Sequence, residues 1–280
     1  MRRTSPLKMV VFSLGAWLLA LNPAAANMLI SPTRAVLDQD NRSAELTLRN
    51  TGDGPRTYRL GWVEQRMNAD GKYVPIAEGE DWPSAAAMLR YSPRQITVGP
   101  GENQRIRLSY RPPANVAAGE YRSHLRLQVL ADVSEPAMVL EQGETDGSGL
   151  GFRLNMQMSF NLPVVVRHNA EPARVRLTEV DVLKPEEEAQ PLRLGVTLAR
   201  QGQASSFGDV LVEMQRDPNS PVEIIGRRND IAVFHEMSER RVIIPLRDEG
   251  IPAGAWIRVA YVGRQEYQGQ LWDEQVFKVD

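Results

Sequence analysis

Cysteine is absent from the 280 residues. That excludes thiolate metal sites, disulfide scaffolds and a cysteine nucleophile, and it leaves the redox compartment open. Histidine is scarce: His124, His168 and His235 stand far apart. No His-Glu-x-x-His pattern places two imidazoles on one helical face, so a zincin site is excluded. Charge of one sign is also lacking. The formal net charge is −2 with no basic block, which argues against a nucleic-acid partner, because phosphate contacts need clustered Lys and Arg. No Gly-x-Ser-x-Gly turn offers a hydrolase nucleophile. The glycine-rich Gly147-Ser148-Gly149-Leu150-Gly151 precedes a strand pattern and not a helix, so no helix N-terminus awaits a phosphate. Asp181 and the Glu186-Glu187-Glu188 run read as solvated turns, since hard-cation sites need spaced, converging oxygens. The chain is therefore read as a non-enzyme with no metal and no cofactor.

What is present begins at the N-terminus. Arg2, Arg3 and Lys8 precede a short apolar run over residues 9–21, then Asn22-Pro23 and the small residues Ala24-Ala25-Ala26. This is the pattern of a secretory signal peptide, too short to span a bilayer, with cleavage predicted after Ala26. Removing residues 1–26 takes away three basic residues and no acid, so the net charge moves from −2 to −5. No later stretch is long and apolar enough to span, so an exported protein without membrane insertion is predicted.

Beyond residue 27 short alternating runs dominate, separated by turn residues about every ten positions, the spacing of β-sandwiches. Strands are predicted near 28–37, 44–49, 57–66, 95–98, 105–110, 121–129 and 152–167, with one helical turn within 83–89. His168-Asn169-Ala170-Glu171-Pro172 interrupts the pattern as a short linker would. Strands resume near 175–183, 192–199, 210–214, 222–225, 231–234, 241–246, 256–261 and 271–279. The fold class is all-β: two consecutive sandwiches, residues 27–168 and 169–280.

Two features stand out. From residue 152 to residue 162 the alternation is unbroken: Phe152, Leu154, Met156, Met158, Phe160 and Leu162 point one way, with Arg153, Asn155, Gln157, Ser159 and Asn161 between them. Side chains alternate faces along a strand, so six large apolar groups form one stripe. Such a stripe suits either its own sandwich core or a partner's. Arg34, in Ser31-Pro32-Thr33-Arg34-Ala35-Val36-Leu37, is either a solvated edge residue or a guanidinium placed for a carboxylate.

Several segments, in order, resemble one known family. Ser31 to Asp38, Ser43 to Asn50, Ser92 to Gly101, Gln104 to Leu108 and Gly119 to Leu125 are similar to the first domain of periplasmic pilus chaperones of the chaperone–usher pathway, nearest the archaic branch. The second half matches only as a sandwich of suitable length. The resemblance implies two immunoglobulin-like domains at an angle, with a subunit-binding cleft between them. It implies that pilus or fimbrial subunits lacking their last strand are completed by a donor strand of the chaperone, then delivered to an outer-membrane usher from the periplasm. By alignment Leu154, Met156 and Met158 fall at the donor positions, flanked by Phe152 and Phe160. Arg34 falls at the family's cleft arginine, which holds the subunit's C-terminal carboxylate. Arg167 matches an arginine that bridges the domains by a salt bridge. The family's usual lysine partner is replaced by Pro163, which has neither charge nor N–H. Arg34 then works alone, or with another cation such as Arg94 or Arg167, or anchoring differs. An apolar stripe exposed in the free protein also implies possible self-association. The alternative from another class is a secreted β-sandwich adhesin or carbohydrate-binding protein. It would need an aromatic platform, whereas Trp62, Trp82, Trp256 and Trp272 are scattered.

Overall fold

A computed structural model describes residues 28–130, 158–183, 191–247 and 251–279. The predicted signal segment 1–26 and the stripe residues Phe152, Leu154 and Met156 lie outside the described residues.

The first sandwich contains β1 (Met28–Ser31), β2 (Ala35–Leu37), β3 (Ser43–Asn50), β4 (Arg56–Val63), β5 (Gln65–Met67), β6 (Tyr73–Pro75), β7 (Leu89–Ser92), β8 (Gln95–Val98), β9 (Asn103–Tyr110), β10 (Gly119–Leu130) and β11 (Ser159–His168). One sheet runs β1-β3-β9-β7 and the other β2-β11-β10-β4-β8. Period-2 patterning aims Leu46 and Leu48 of β3, Ile106 and Leu108 of β9, Leu125 and Leu127 of β10, and Leu162, Val164 and Val166 of β11 into one core between the sheets. Every pairing in these sheets is antiparallel except β2 with β11, which is parallel over Ala35–Leu37.

The predicted single strand over 28–37 is corrected. It divides into β1 and β2, which belong to different sheets. Pro32 lies at the division; lacking an N–H, it cannot continue the β1–β3 ladder. The helical turn predicted within 83–89 is a single 3₁₀ turn at Ala86–Met88.

The second sandwich contains β12 (Arg174–Leu183), β13 (Arg193–Gln201), β14 (Ser206–Gln215), β15 (Glu223–Val233), β16 (Glu239–Pro245), β17 (Trp256–Gly263) and β18 (Leu271–Lys278). Its sheets run β12-β13-β16 and β15-β14-β17-β18. Val196, Leu198, Val210, Val212, Ile244, Ile257 and Val259 fill its core. The β5–β6 hairpin of the first sandwich reaches across, and its Met67 is buried within that second core.

Candidate functional site

The described part of the stripe, residues 158–162, passes out of the core of its own sandwich at the start of β11. Leu162 is 5% exposed and Phe160 is half-buried against the core, whereas Met158 is 57% exposed. All three share one face, so the change is one of position along the strand and not of pleat. The hairpin with β10 continues past this point, because Val129 N–H still donates to Met158 C=O at 3.0 Å.

The backbone edge of β11 is uncovered over the same stretch. β10 pairs with all of Ser159–His168, but β2 pairs only with Val164–Val166. Among the described residues no strand pairs with the outer edge from Ser159 to Pro163. An edge with unspent N–H and C=O groups accepts another strand. Pro163 has no N–H to offer and sits where β2 coverage stops.

The opposite face of β10 and β11 meets the second sandwich. Register pairs Glu120 with Arg167, Arg122 with Val165 and His124 with Pro163, so these side chains share that face. Arg34 approaches the same junction. It is 3% exposed, its guanidinium carbon stands 4.3 Å from the Phe207 ring centre, and its Nη1 lies 3.2 Å from Glu266 Oε1. The solvated-edge alternative for Arg34 is thereby removed. Burial pulls its pKa down, and Glu266 opposes that shift. None of its three nitrogens makes a hydrogen bond among the described residues.

Arg34 and Pro163 line one cavity of ≈ 340 Å³ between the sandwiches. Asn161 of β11 and Tyr73 of β6 line it from the first sandwich, and Phe207, Phe234 and Arg240 from the second. Arg94 is exposed and takes no part in it.

Arg167 spans the junction. Its Nε donates to Glu120 Oε2 at 3.1 Å and its Nη2 to Glu266 Oε1 at 3.1 Å and Ser205 C=O at 3.4 Å. Glu120 also accepts from the Ser205 N–H at 2.8 Å and hydroxyl at 3.0 Å. Burial raises the Glu120 carboxyl, but His235, Arg167 and the Ser205 N–H outweigh it and hold the group at about 2. A second bridge joins fully buried Arg122 to Glu236, whose Oε1 also accepts from the Met67 N–H at 3.0 Å.

Sequence reasoning missed Glu120, Arg122, Glu236 and Arg240. Glu120, Arg122 and Arg240 read as ordinary solvated strand residues and Glu236 as a turn residue, and no local signal marks any of them. Among the described residues no group of three or more His, Asp or Glu is placed to hold a metal ion.

The chain matches no family model and no curated protein. Solved structures do match. In fold the chain is similar to pilus chaperones of the chaperone–usher pathway. One is the CsuC–CsuE chaperone–tip subunit pre-assembly complex from archaic Csu pili of Acinetobacter baumannii, at 12% identity, TM-score 0.42, covering 91% of this chain and 98% of that one. Another is the CupB2 chaperone of Pseudomonas aeruginosa, at 13% identity, TM-score 0.44, covering 90% and 100%. A third is the SafB chaperone with SafA pilin of Salmonella enterica, at 10% identity, TM-score 0.42, covering 90% and 96%.

Proposed function

We propose that this protein is a periplasmic chaperone that captures pilus or fimbrial subunits by lending them β11 and the residues before it. The observation that carries the reading is the coincidence of an uncovered backbone edge at the start of β11 with an apolar stripe that is out of its own core at Met158, the residue before that strand. The edge supplies main-chain hydrogen bonds, and Phe152, Leu154, Met156, Met158 and Phe160 supply alternate side chains for the groove of an incomplete subunit. Burying one such side chain is worth ~1.5–3 kcal/mol, so three to five of them dominate the gross interface energy. Ordering and association costs lower the net. Methionine is unbranched and adapts to grooves of differing shape.

In this reading Arg34 anchors the subunit's C-terminal carboxylate, and Arg167 fixes the angle between the sandwiches. The captured subunit passes to an outer-membrane usher. Residues 1–26 direct export and are removed. No chemical step occurs, so no cofactor or metal enters.

The test is co-expression with a pilus subunit and recovery of the complex from periplasm. Wild-type protein should bring down the subunit at one to one. Met156→Asp should lose it while keeping the wild-type circular dichroism spectrum. A Met156→Asp variant that captures normally contradicts the donor role. One that fails to fold assigns the stripe to the chaperone's own core.

A further inference from the structure

The ≈ 340 Å³ cavity between the sandwiches has a second guanidinium besides Arg34. Arg240 of β16 enters it from the second sandwich. Its Nη1 donates to Ala232 C=O at 2.7 Å, while its Nε is buried without a partner. No carboxylate lies within ion-pair distance of it among the described residues. Its charge is held by geometry. Gly71, at φ 76° in the turn of the β5–β6 hairpin, lets the hairpin backbone close onto the guanidinium where a Cβ would collide with Nη2. Arg34 is in a similar state: Glu266 is its one acid, and that acid is shared with Arg167.

Arg34, buried with three unbonded nitrogens, and half-buried Arg240, with a buried unbonded Nε, thus line one cavity, against one lining acid, Asp230. Unmade hydrogen bonds from buried charges are costly, and an anion that accepts them removes that cost. The planar forks match a planar carboxylate. The Phe207, Phe234 and Pro163 surfaces beside them suit an apolar group next to it. We propose that Arg240 is the second cation of this cavity, so that one carboxylate is clasped by Arg34 from the first sandwich and Arg240 from the second. This rests on the cleft reading of Arg34 above and adds what that reading lacks, a replacement for the charge missing at Pro163. It also makes carboxylate binding a bond between the two sandwiches.

The experiment follows the Arg34 and Arg240 Nε–H resonances by NMR during titration at constant ionic strength. The probes are acetate, N-acetyl-Ala-Phe with a free carboxylate, and its C-terminal amide. The expected result is a saturable shift of both resonances with the acid and none with the amide. Tighter binding of the peptide acid than of acetate assigns the site to a chain terminus; equal binding assigns it to free small acids. Arg240→Gln should weaken binding ~10-fold or more as read at Arg34, because charge-assisted hydrogen bonds are lost. Arg240→Lys should retain part of the affinity. Linear, non-saturating shifts in wild-type protein, or a saturable Arg34 shift unchanged in Arg240→Gln, overturn the proposal. Met156→Asp should bind the peptide acid normally while losing subunit capture, which separates a failure of the anion site from a failure of the donor strand.

Discussion

Arg122 and Glu236 meet as a bidentate pair across the boundary between the sandwiches, with Arg122 Nη1 donating to Glu236 Oε2 at 3.1 Å and Nη2 bonding Oε1. The Arg122 guanidinium carbon also stands 3.7 Å from the Phe234 ring centre, so the cation is enclosed by second-sandwich groups on two sides. A charge this deep depends on its partner. Arg122→Leu should cost about 3–5 kcal/mol, because largely buried Glu236 loses its guanidinium and keeps, among the described residues, only the Met67 N–H as a hydrogen-bond donor. Adding Glu236→Leu should recover much of that loss. Urea denaturation of the two single variants and the double variant at neutral pH measures the coupling; strictly additive losses would show that the pair does not act as a unit.

His124 predicts how stability depends on pH near neutrality. Burial, with Arg122 adding to it, pushes its ring down to about 3, and neither ring nitrogen has a hydrogen-bond partner. The unfolded chain takes up a proton near pH 6.5 that the folded chain refuses. Stability is therefore complete above 6.5 and falls as pH drops towards 3, by about 2 kcal/mol between pH 7 and 5. His124→Leu should flatten the curve over that interval. Equal slopes in denaturation at pH 7 and 5 for both proteins contradict the burial of a neutral ring.

Glu120 acts at lower pH. Its folded pKa of about 2 lies below the ordinary 4.5, so its contribution is present above 4.5 and is lost as pH falls from there through about 2. The loss is on the order of 3 kcal/mol. In Glu120→Gln that step should vanish from the acid titration. The variant should also start less stable at neutral pH, since Arg167 loses one of its two acids.

The stripe should divide energetically where it divides geometrically. Leu162→Ala removes a core side chain and should cost about 2–5 kcal/mol. Met158→Ala, on the same face but exposed, should stay within about 0.5 kcal/mol of wild type. Equal losses by thermal denaturation would place Met158 in the folded core of the free protein.

The strands were readable where burial is one-sided. Residues 95–98 and 105–110 alternate cleanly and form β8 and β9 to within two residues. The breaks were harder. Residues 222–225 and 231–234 read as two strands, yet β15 runs through both, with Asp230 at positive φ and irregular register against β14 absorbing the polar residues between them. Thr57 to Arg66 reads as one strand, whereas Glu64 separates β4 from β5 so that the hairpin can leave the sheet and reach the second core. Of the candidate site, alternation marks the stripe in the sequence, of which the structure describes only Met158, Phe160 and Leu162, and Arg34 took its proposed role from the family resemblance. At the junction only Arg167 was singled out, through the family resemblance. Glu120, Ser205, Glu236 and Glu266 converge there from four other stretches, and only tertiary packing turns such surface-like residues into a buried network.

The central claim is that residues 152–162 complete a partner. Amide hydrogen exchange over this segment, in the free protein and in a purified complex with a co-expressed pilus subunit, tests it most directly. Strand addition satisfies the outer backbone edge, so these amides should exchange at least ~10-fold more slowly in the complex, while β7 and β8 stay unchanged. Identical exchange over 152–162 in both states, with protection elsewhere, contradicts the account.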